Sequence, residues 1–437
     1  LKTKSVSHKI GIVSLGCAKN LVDSEVLLKQ LDASSFNIII NPGEEDKVDT
    51  VIINTCGFIL DAKNESIETI LQFVKAKAEG RLQSLIVMGC LSERYRKQLT
   101  KELPEVDAFF GVNELSRIVE SVGGKFRKYL LGERLLTTPS HYAYLKIAEG
   151  CDRHCSFCSI PAIRGKHISR PMDEIIREAT ILAVKGVKEI NVISQDTTYY
   201  GLDLYKKRML PELLERLSRI PGLEWIRLHY TYPDGFPVEV LEVIRKHNNL
   251  CKYIDIPLQH INSRILRSMN RGIDRDQTLA LISLIRKHLP DGVIRTTLMT
   301  GYPGETAKDF RELIEFVHDC RFDRMGVFTY SHEEGTEAYL LKDTVPDKIK
   351  QERASILMEL QQDISLELNT RRVGSTIKVM IDREENEYYI GRTEYDSPDI
   401  DNEVLIPKEQ TTLFTGRFYQ ARIKAADNFD LYAEIED

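Results

Sequence analysis

Cys151, Cys155 and Cys158 stand in the run CDRHCSFC, a C-x3-C-x2-C spacing with Gly150 just before it and Pro161, Arg164 and Gly165 just after. Three thiolates from one short loop can hold three corners of an iron–sulfur cube, which ordinarily takes four cysteines. The fourth iron is then open, and an open metal position is where chemistry can happen, as at catalytic zinc. The same spacing also suits a zinc knuckle with a distant fourth ligand, or ordinary buried thiols.

Three further thiols are spread more widely. Cys17, Cys56 and Cys90 fall at the ends of the apolar, β-branched runs KIGIVSLGC, TVIINTCGF and SLIVMGC. Helix-like stretches follow each run: NLVDSEVLLKQL, LDAKNESIETILQFVKAKAEG and SERYRKQLTKEL. This alternation predicts an α/β domain with a doubly wound parallel sheet over residues 1–140. In such a sheet the C-terminal strand ends face one ligand-binding crevice, so the three cysteines can meet there. Gly16, Gly57 and Gly89 adjoin them and would let backbone approach a bulky ligand. Cysteines are also common buried residues, and the pattern alone leaves that reading standing. Cys251 and Cys320 lie in no such motif and read as structural thiols.

Residues 141–370 continue the alternation. Candidate strands are AYLKIAEG, EINVIS, EWIRLHY, KYIDIPL, GVIRTTLMT and RMGVFTY, with amphipathic segments between them. Six βα repeats suit a partial (β/α)6 barrel, whose chemistry gathers at the C-terminal strand ends. Polar groups cluster there: Ser194, Gln195, Asp196, Thr197 and Tyr199 after the second strand, and Arg227, His229, Tyr230 and Tyr232 around the end of the third. Asp255, Gln259 and His260 follow on the fourth, Gly301, Gly304 and Glu305 on the fifth, and Glu333, Glu334 and Thr336 on the sixth. A lone histidine such as His229 reads first as a structural residue, and Gly301-Tyr-Pro-Gly304 reads equally well as a turn.

A polar helical segment, PDKIKQERASILMELQQDISLELNTRRVG, leads to residues 371–437. Short alternating runs there predict a small antiparallel β-barrel. This tail carries nine Lys and Arg against fifteen Asp and Glu, so it holds all of the chain's net charge of −6. Binding phosphate backbones needs a basic surplus, so the charge argues against RNA contact through the tail and suits a basic protein partner. At 437 residues, 42% hydrophobic and 29% charged, the chain has the composition of a soluble globular protein. No apolar run approaches the roughly 20 residues that span a bilayer. The opening LKTKSVSHKI is basic without an apolar h-region, so no secretory signal is predicted. A reducing, cytoplasmic compartment follows, in which eight cysteines do not imply disulfides.

Beyond the cysteines, YLKIAEGCDRHCSFCSIPAIRGKHISR, residues 144–170, resembles the cluster-binding segment of the radical S-adenosylmethionine (SAM) methylthiotransferases. SLGCAKNLVDSE, NTCGF and GCLSERY are similar to the three cysteine motifs of that family's N-terminal domain, and the tail resembles a TRAM domain. The resemblance covers essentially the whole chain. It implies two [4Fe–4S] clusters, each with one free iron: an auxiliary one on Cys17, Cys56 and Cys90, and one on Cys151, Cys155 and Cys158 that binds SAM. Gln195, Gly301 and Glu305 become candidate SAM contacts. One departure is TLMTGYPGE, where the commoner form is TFIVGFPGE.

SQDTTYYG, DIPLQH, TGYPGET and YSHEEGT resemble the branch that modifies ribosomal protein more than the branch that modifies transfer RNA, which has a GQNV-like stretch at SQDT. That implies addition of a methylthio group to the β-carbon of an aspartate in the small-subunit ribosomal protein numbered twelve, with a low-potential electron donor as second partner. Methylthiolation of a transfer RNA adenosine is the alternative. A zinc-stabilised RNA-binding protein without catalysis is the reading from another class.

Overall fold

The computed structural model describes residues 8–43, 46–130, 132–409 and 412–436. The stretch LKTKSVS, on which the signal-peptide reading rested, lies outside the described residues.

The N-terminal sheet is wholly parallel, in the order Asn37–Ile40, Lys9–Ser14, Thr50–Thr55, Ser84–Gly89 and Ala108–Phe109. Its middle strand, TVIINT, is buried along its whole length, as expected of a parallel strand covered on both faces. One face packs Ile10, Ile52 and Ile86 against Leu27, Leu28 and Leu31 of the helix Ala18–Asp32. The other packs Val51, Ile53 and Val87 against Ile70 and Leu99 of the helices Leu60–Ala78 and Cys90–Glu102. The edge strands Asn37–Ile40 and Ala108–Phe109 had no counterpart among the expected strands; both are short.

The six expected central strands all form. They are parallel and neighbour one another in chain order: Tyr142–Lys146, Glu189–Ile193, Trp225–Leu228, Leu250–Asp255, Val293–Thr300 and Arg324–Thr329. Alternate residues such as Ala143, Leu145, Ile190, Val192, Ile226 and Leu228 face the covering helices and build the largest core. The other set faces the concave side and is markedly polar: Tyr142, Glu189, Arg227, Tyr253, Arg295 and Arg324 among them. The helix Ala307–Cys320 starts with a reciprocal capping box between Thr306 and Asp309.

The helix Asp347–Thr370 leads to a closed five-stranded barrel, ordered Thr376–Glu385, Tyr388–Thr393, Val404–Pro407, Leu431–Ile435 and Phe418–Ala426. Four neighbouring pairs are antiparallel, but Val404–Pro407 runs parallel to Leu431–Ile435. An odd number of strands cannot close in strict up-and-down alternation, so an antiparallel expectation had to fail at one pair.

This barrel docks against the N-terminal ends of the central strands. Met380 and Phe418 pack on Trp225, Cys251, Tyr253 and Val293. Buried charges surround that contact. Arg227 and Arg392 both pair with Glu189, and Arg392 also pairs with Asp382, which receives His141 at 2.7 Å. Arg324 binds Asp396 at 2.5 Å, and Arg295 lies 3.2 Å from Asp401. Tyr142 donates to Asp399, and the Lys252 backbone N–H to Glu394. Asp382, Glu394, Asp396, Asp399 and Asp401 thus face the central domain. The sequence count therefore overstates the negative surface of the tail, although Glu384, Glu385, Glu387, Glu409 and Glu436 do stay exposed.

Candidate functional site: two sets of three thiols at one junction

The loop carrying Cys151, Cys155 and Cys158 is closed at its base. Ala148–Glu149 pairs with Ile168–Ser169, and the Cys151 N–H donates to the Gly165 carbonyl at 3.1 Å. Gly150 sits at φ +72°, and a Cβ there would come within 2.1 Å of the Lys166 carbonyl oxygen. Only glycine lets the two ends of the loop pass so closely.

Leaving the first strand, the loop crosses the C-terminal ends of the others and is fastened to each. Arg153 donates to Asp196 at 2.9 Å and to Asp234 at 2.9 Å, and its guanidinium lies over Tyr232. Tyr232 Oη is 3.4 Å from Cys155 Sγ, and Arg271 Nη1 donates to the same sulfur at 3.2 Å. The Ser156 N–H donates to Met269, and its hydroxyl meets Tyr302 at 2.8 Å. Beyond the sixth strand, the Ala338 N–H donates to the Ser156 carbonyl.

The other three cysteines lie on adjacent strands. Cys17 caps the helix Ala18–Asp32, Cys56 follows Thr50–Thr55, and Cys90 opens the helix after Ser84–Gly89. Their glycines also shape the packing between strand ends. A Cβ on Gly16 would lie 2.7 Å from Cys56 Cβ, and one on Gly57 would lie 2.6 Å from Leu91 Cα. Gly89, at φ +99°, lies against the Asn54 side chain and the Thr55 backbone. The glycines let the strand ends approach one another, which draws the three thiols together.

Burial pushes the Cys90 and Cys158 thiols up to about 12 and Cys151 to about 11; Cys56 is raised as well. Neighbouring sulfurs of the same set add to the rise at Cys90 and at Cys158. Two groups of clustered soft donors, of which Cys17 is exposed and the others are buried or half-buried, fit iron–sulfur centres, whose binding replaces the thiol protons. Among the described residues no three His, Cys, Asp or Glu side chains converge on the point a single ion would occupy.

Arg164, six residues beyond Cys158, joins the two sets. It donates to Asn20 Oδ1 at 2.6 Å, to Asp23 at 3.2 Å and to Glu149 at 2.7 Å. Asn20 Oδ1 in turn lies 3.6 Å from Cys90 Sγ. Lys146 pairs with Asp23 and Glu149, and Gln195 donates to Glu149 at 3.1 Å. A second clasp forms where Glu333, after the sixth strand, receives Lys63 at 2.7 Å and Arg94 at 2.9 Å.

Of the residues singled out in the sequence, Gln195 faces this junction. Gly301 and Glu305 do not present free groups. The Gly301 N–H donates to Glu305 at 2.7 Å, Arg353 holds the other carboxylate oxygen at 2.6 Å, and a Cβ on Gly301 would strike Lys350. Glu305 therefore braces the turn after the fifth strand. His229 is structural, as expected: it is enclosed and meets Ser397 at 3.2 Å. Cys251 lies buried in the contact with the tail, and Cys320 ends a helix. Arg164, Asn20, Asp23, Lys146 and Glu149 were not anticipated. The available signal was polar residues at i, i+3 and i+4 on a helix face that should be apolar: Asn20, Asp23 and Ser24, of which Asn20 and Ser24 are fully buried.

Comparison with known proteins agrees with this architecture. Family models match residues 9–111 (Uncharacterized protein family UPF0004), 145–317 (Radical SAM superfamily) and 373–435 (TRAM domain). Among solved structures, the radical SAM methyltransferase TsrM from Kitasatospora setae superposes with a TM-score of 0.54 at 13% identity, over 88% of this chain and 81% of that one. That likeness is one of fold. Curated relatives named ribosomal protein uS12 methylthiotransferase RimO are far more similar. The protein from Christiangramia forsetii is 52% identical over 99% of this chain and 96% of its own length. Those from Flavobacterium johnsoniae and Bacteroides fragilis are 53% and 54% identical, over 99% and 98% of this chain and 100% and 99% of their own lengths. The chain therefore belongs to the RimO family of radical SAM methylthiotransferases.

Proposed function

We propose that this protein adds a methylthio group to the β-carbon of an aspartate in ribosomal protein uS12, working in the cytoplasm with SAM and two iron–sulfur clusters. Family membership makes it a radical SAM transferase that uses an iron–sulfur centre and SAM. In this reading Cys151, Cys155 and Cys158 hold one [4Fe–4S] cluster and Cys17, Cys56 and Cys90 hold a second. The domains divide near residues 140 and 370. An aspartate β C–H is not acidic enough for a side-chain base, so the cofactors must supply a hydrogen-abstracting radical and a methylated sulfur.

The chain's own residues supply placement. Arg271 and Tyr232 hold Cys155, and Arg153 ties the loop to Asp196 and Asp234. Arg164, Lys146, Asp23 and Glu149 tie the two thiol sets into one junction. Gln195 is the best placed of the candidate SAM contacts, while Gly301 and Glu305 act on the shape of the turn beside it. The exposed acids of the tail remain available to a basic protein, and a low-potential donor provides electrons.

The observation that carries this reading is the joining of the two sets through Arg164 and Asn20. A carbon radical made at one centre must meet sulfur at the other before it is quenched. The test is an anaerobic assay with SAM and reductant, offering transfer RNA and a peptide from the uS12 aspartate loop in parallel. A methylthio mass gain on the peptide aspartate is expected. A gain on adenosine alone would replace this reading with transfer RNA modification.

A further inference from the structure

We infer that Lys19 is the specificity-determining residue that receives the side-chain carboxylate of the substrate aspartate; this rests on the function proposed above. Lys19 lies two residues beyond Cys17, in the first turn of the helix Ala18–Asp32. A cation there opposes the helix dipole, and the turn has neither an acidic residue nor a side-chain cap to offset it. The residue is only 8% exposed. Among the described residues its ammonium forms no hydrogen bond or ion pair. It lies over the ring of Tyr230, whose centroid is 3.1 Å from Nζ.

The carboxylates at this junction are already engaged. Asp23 is held by Lys146 and Arg164, and Glu149 by Lys146, Arg164 and Gln195. Enclosing most of a lysine without a counter-ion carries a desolvation cost, and an aromatic face returns only about 1–2 kcal/mol. Functional sites are where a fold retains such an uncompensated group.

Position gives the charge its meaning. Tyr230 takes a left-handed φ of +54°, rare for an aromatic residue. Its N–H donates to Asp255 at 2.9 Å and its carbonyl accepts from Thr197 at 3.0 Å, which fixes the ring under Lys19. Two residues on, Tyr232 touches Cys155. The segment His229–Tyr232 therefore reaches from the loop of Cys155 to the helix of Cys17, touching Cys155 at one end and the Lys19 ammonium at the other. An anion held there is a carboxylate whose neighbouring carbon lies within reach of both sets, as the reaction at an aspartate β-carbon requires. A point charge on a flexible stem suits a single carboxylate.

The test uses the reconstituted holoprotein and a fluorescent uS12-loop peptide bearing the target Asp, or Asn in its place, with binding read by anisotropy. Wild type should prefer the Asp peptide. Lys19→Gln should weaken Asp-peptide binding roughly tenfold to hundredfold, the worth of a charge-assisted hydrogen bond, and leave the Asn peptide unchanged. Lys19→Arg, which keeps the charge and guards against a folding defect, should retain part of the preference. An undiminished Asp preference in Lys19→Gln overturns the inference. So does a retained preference with a shifted electron paramagnetic resonance signal of the reduced protein, which would make Lys19 a tuner of the adjacent thiol site. Wild type binding neither peptide would instead bring down the uS12 reading, and this inference with it.

Discussion

At the N-terminal mouth of the central barrel, Glu189 is fully enclosed and answered by Arg227 and Arg392, and Asp396 is enclosed and answered by Arg324. At the opposite mouth, burial raises four thiols, and among the described residues the Lys19 ammonium has no hydrogen bond or ion pair and lies over an aromatic ring. Both ends bury polar groups at a cost in solvation. One end balances them within the chain, and the other leaves them for something the chain does not contain. Buried polar groups that are fully partnered belong to architecture, whereas those left unpartnered mark where a cofactor or substrate completes the fold.

The largest losses are expected at the thiols. Cys155→Ala should eliminate SAM cleavage, read as 5′-deoxyadenosine by mass spectrometry, and continued formation of that product would sink the assignment of the loop. Cys56→Ala should leave part of the SAM cleavage but stop methylthio transfer; an unchanged peptide product would make the N-terminal cysteines bystanders. The other mouth should answer in stability instead. Glu189→Gln leaves two enclosed guanidiniums without their shared counter-charge, and urea unfolding should show a loss of about 3–5 kcal/mol. Unaltered unfolding would mean that apolar packing around Trp225 alone seats the tail.

Asp255 offers a smaller, pH-dependent effect. Burial by itself would raise its carboxyl, but the hydrogen bond from His229 and the charge of Arg295 outweigh burial and hold it at about 2. Because the folded value lies below the unfolded one, the stabilisation is present above about pH 4 and is lost as pH falls toward 2. Asp255→Asn should therefore flatten the acid dependence of stability by about 2 kcal/mol over that window, and an unchanged slope would remove Asp255 as its source. The mildest change is Arg164→Lys, which keeps the charge and loses the fork that spans Asn20, Asp23 and Glu149. It should lower the ratio of methylthiolated peptide to 5′-deoxyadenosine about tenfold, a loss of registration between the two sets. A constant ratio would mean that the junction does not position them.

Much of this was legible because it is local. The C-x3-C-x2-C loop closes on itself within a few residues, and the strands carry period-two or fully apolar patterns that their own residues dictate. Cys17, Cys56 and Cys90 could be grouped from sequence because a parallel sheet brings every C-terminal strand end to one side. What the sequence did not show about the glycines is that Gly16 and Gly57 also let neighbouring protein backbone or thiol approach closely. The tail was misread in part for a similar reason: a charge count cannot tell a surface carboxylate from Asp396, which is buried against Arg324.

Periodicity and short loops act over a few residues, so the sequence alone set the kinds of layer and the end of each sheet where the six thiols gather. Tertiary structure alone decided that Arg164 reaches Asn20, that the tail seals the far mouth of the barrel with buried ion pairs, and that Lys19 comes to rest over Tyr230. Those contacts join residues more than a hundred positions apart. They depend on how whole domains dock, and no local propensity encodes which buried charge meets a partner and which is left without one.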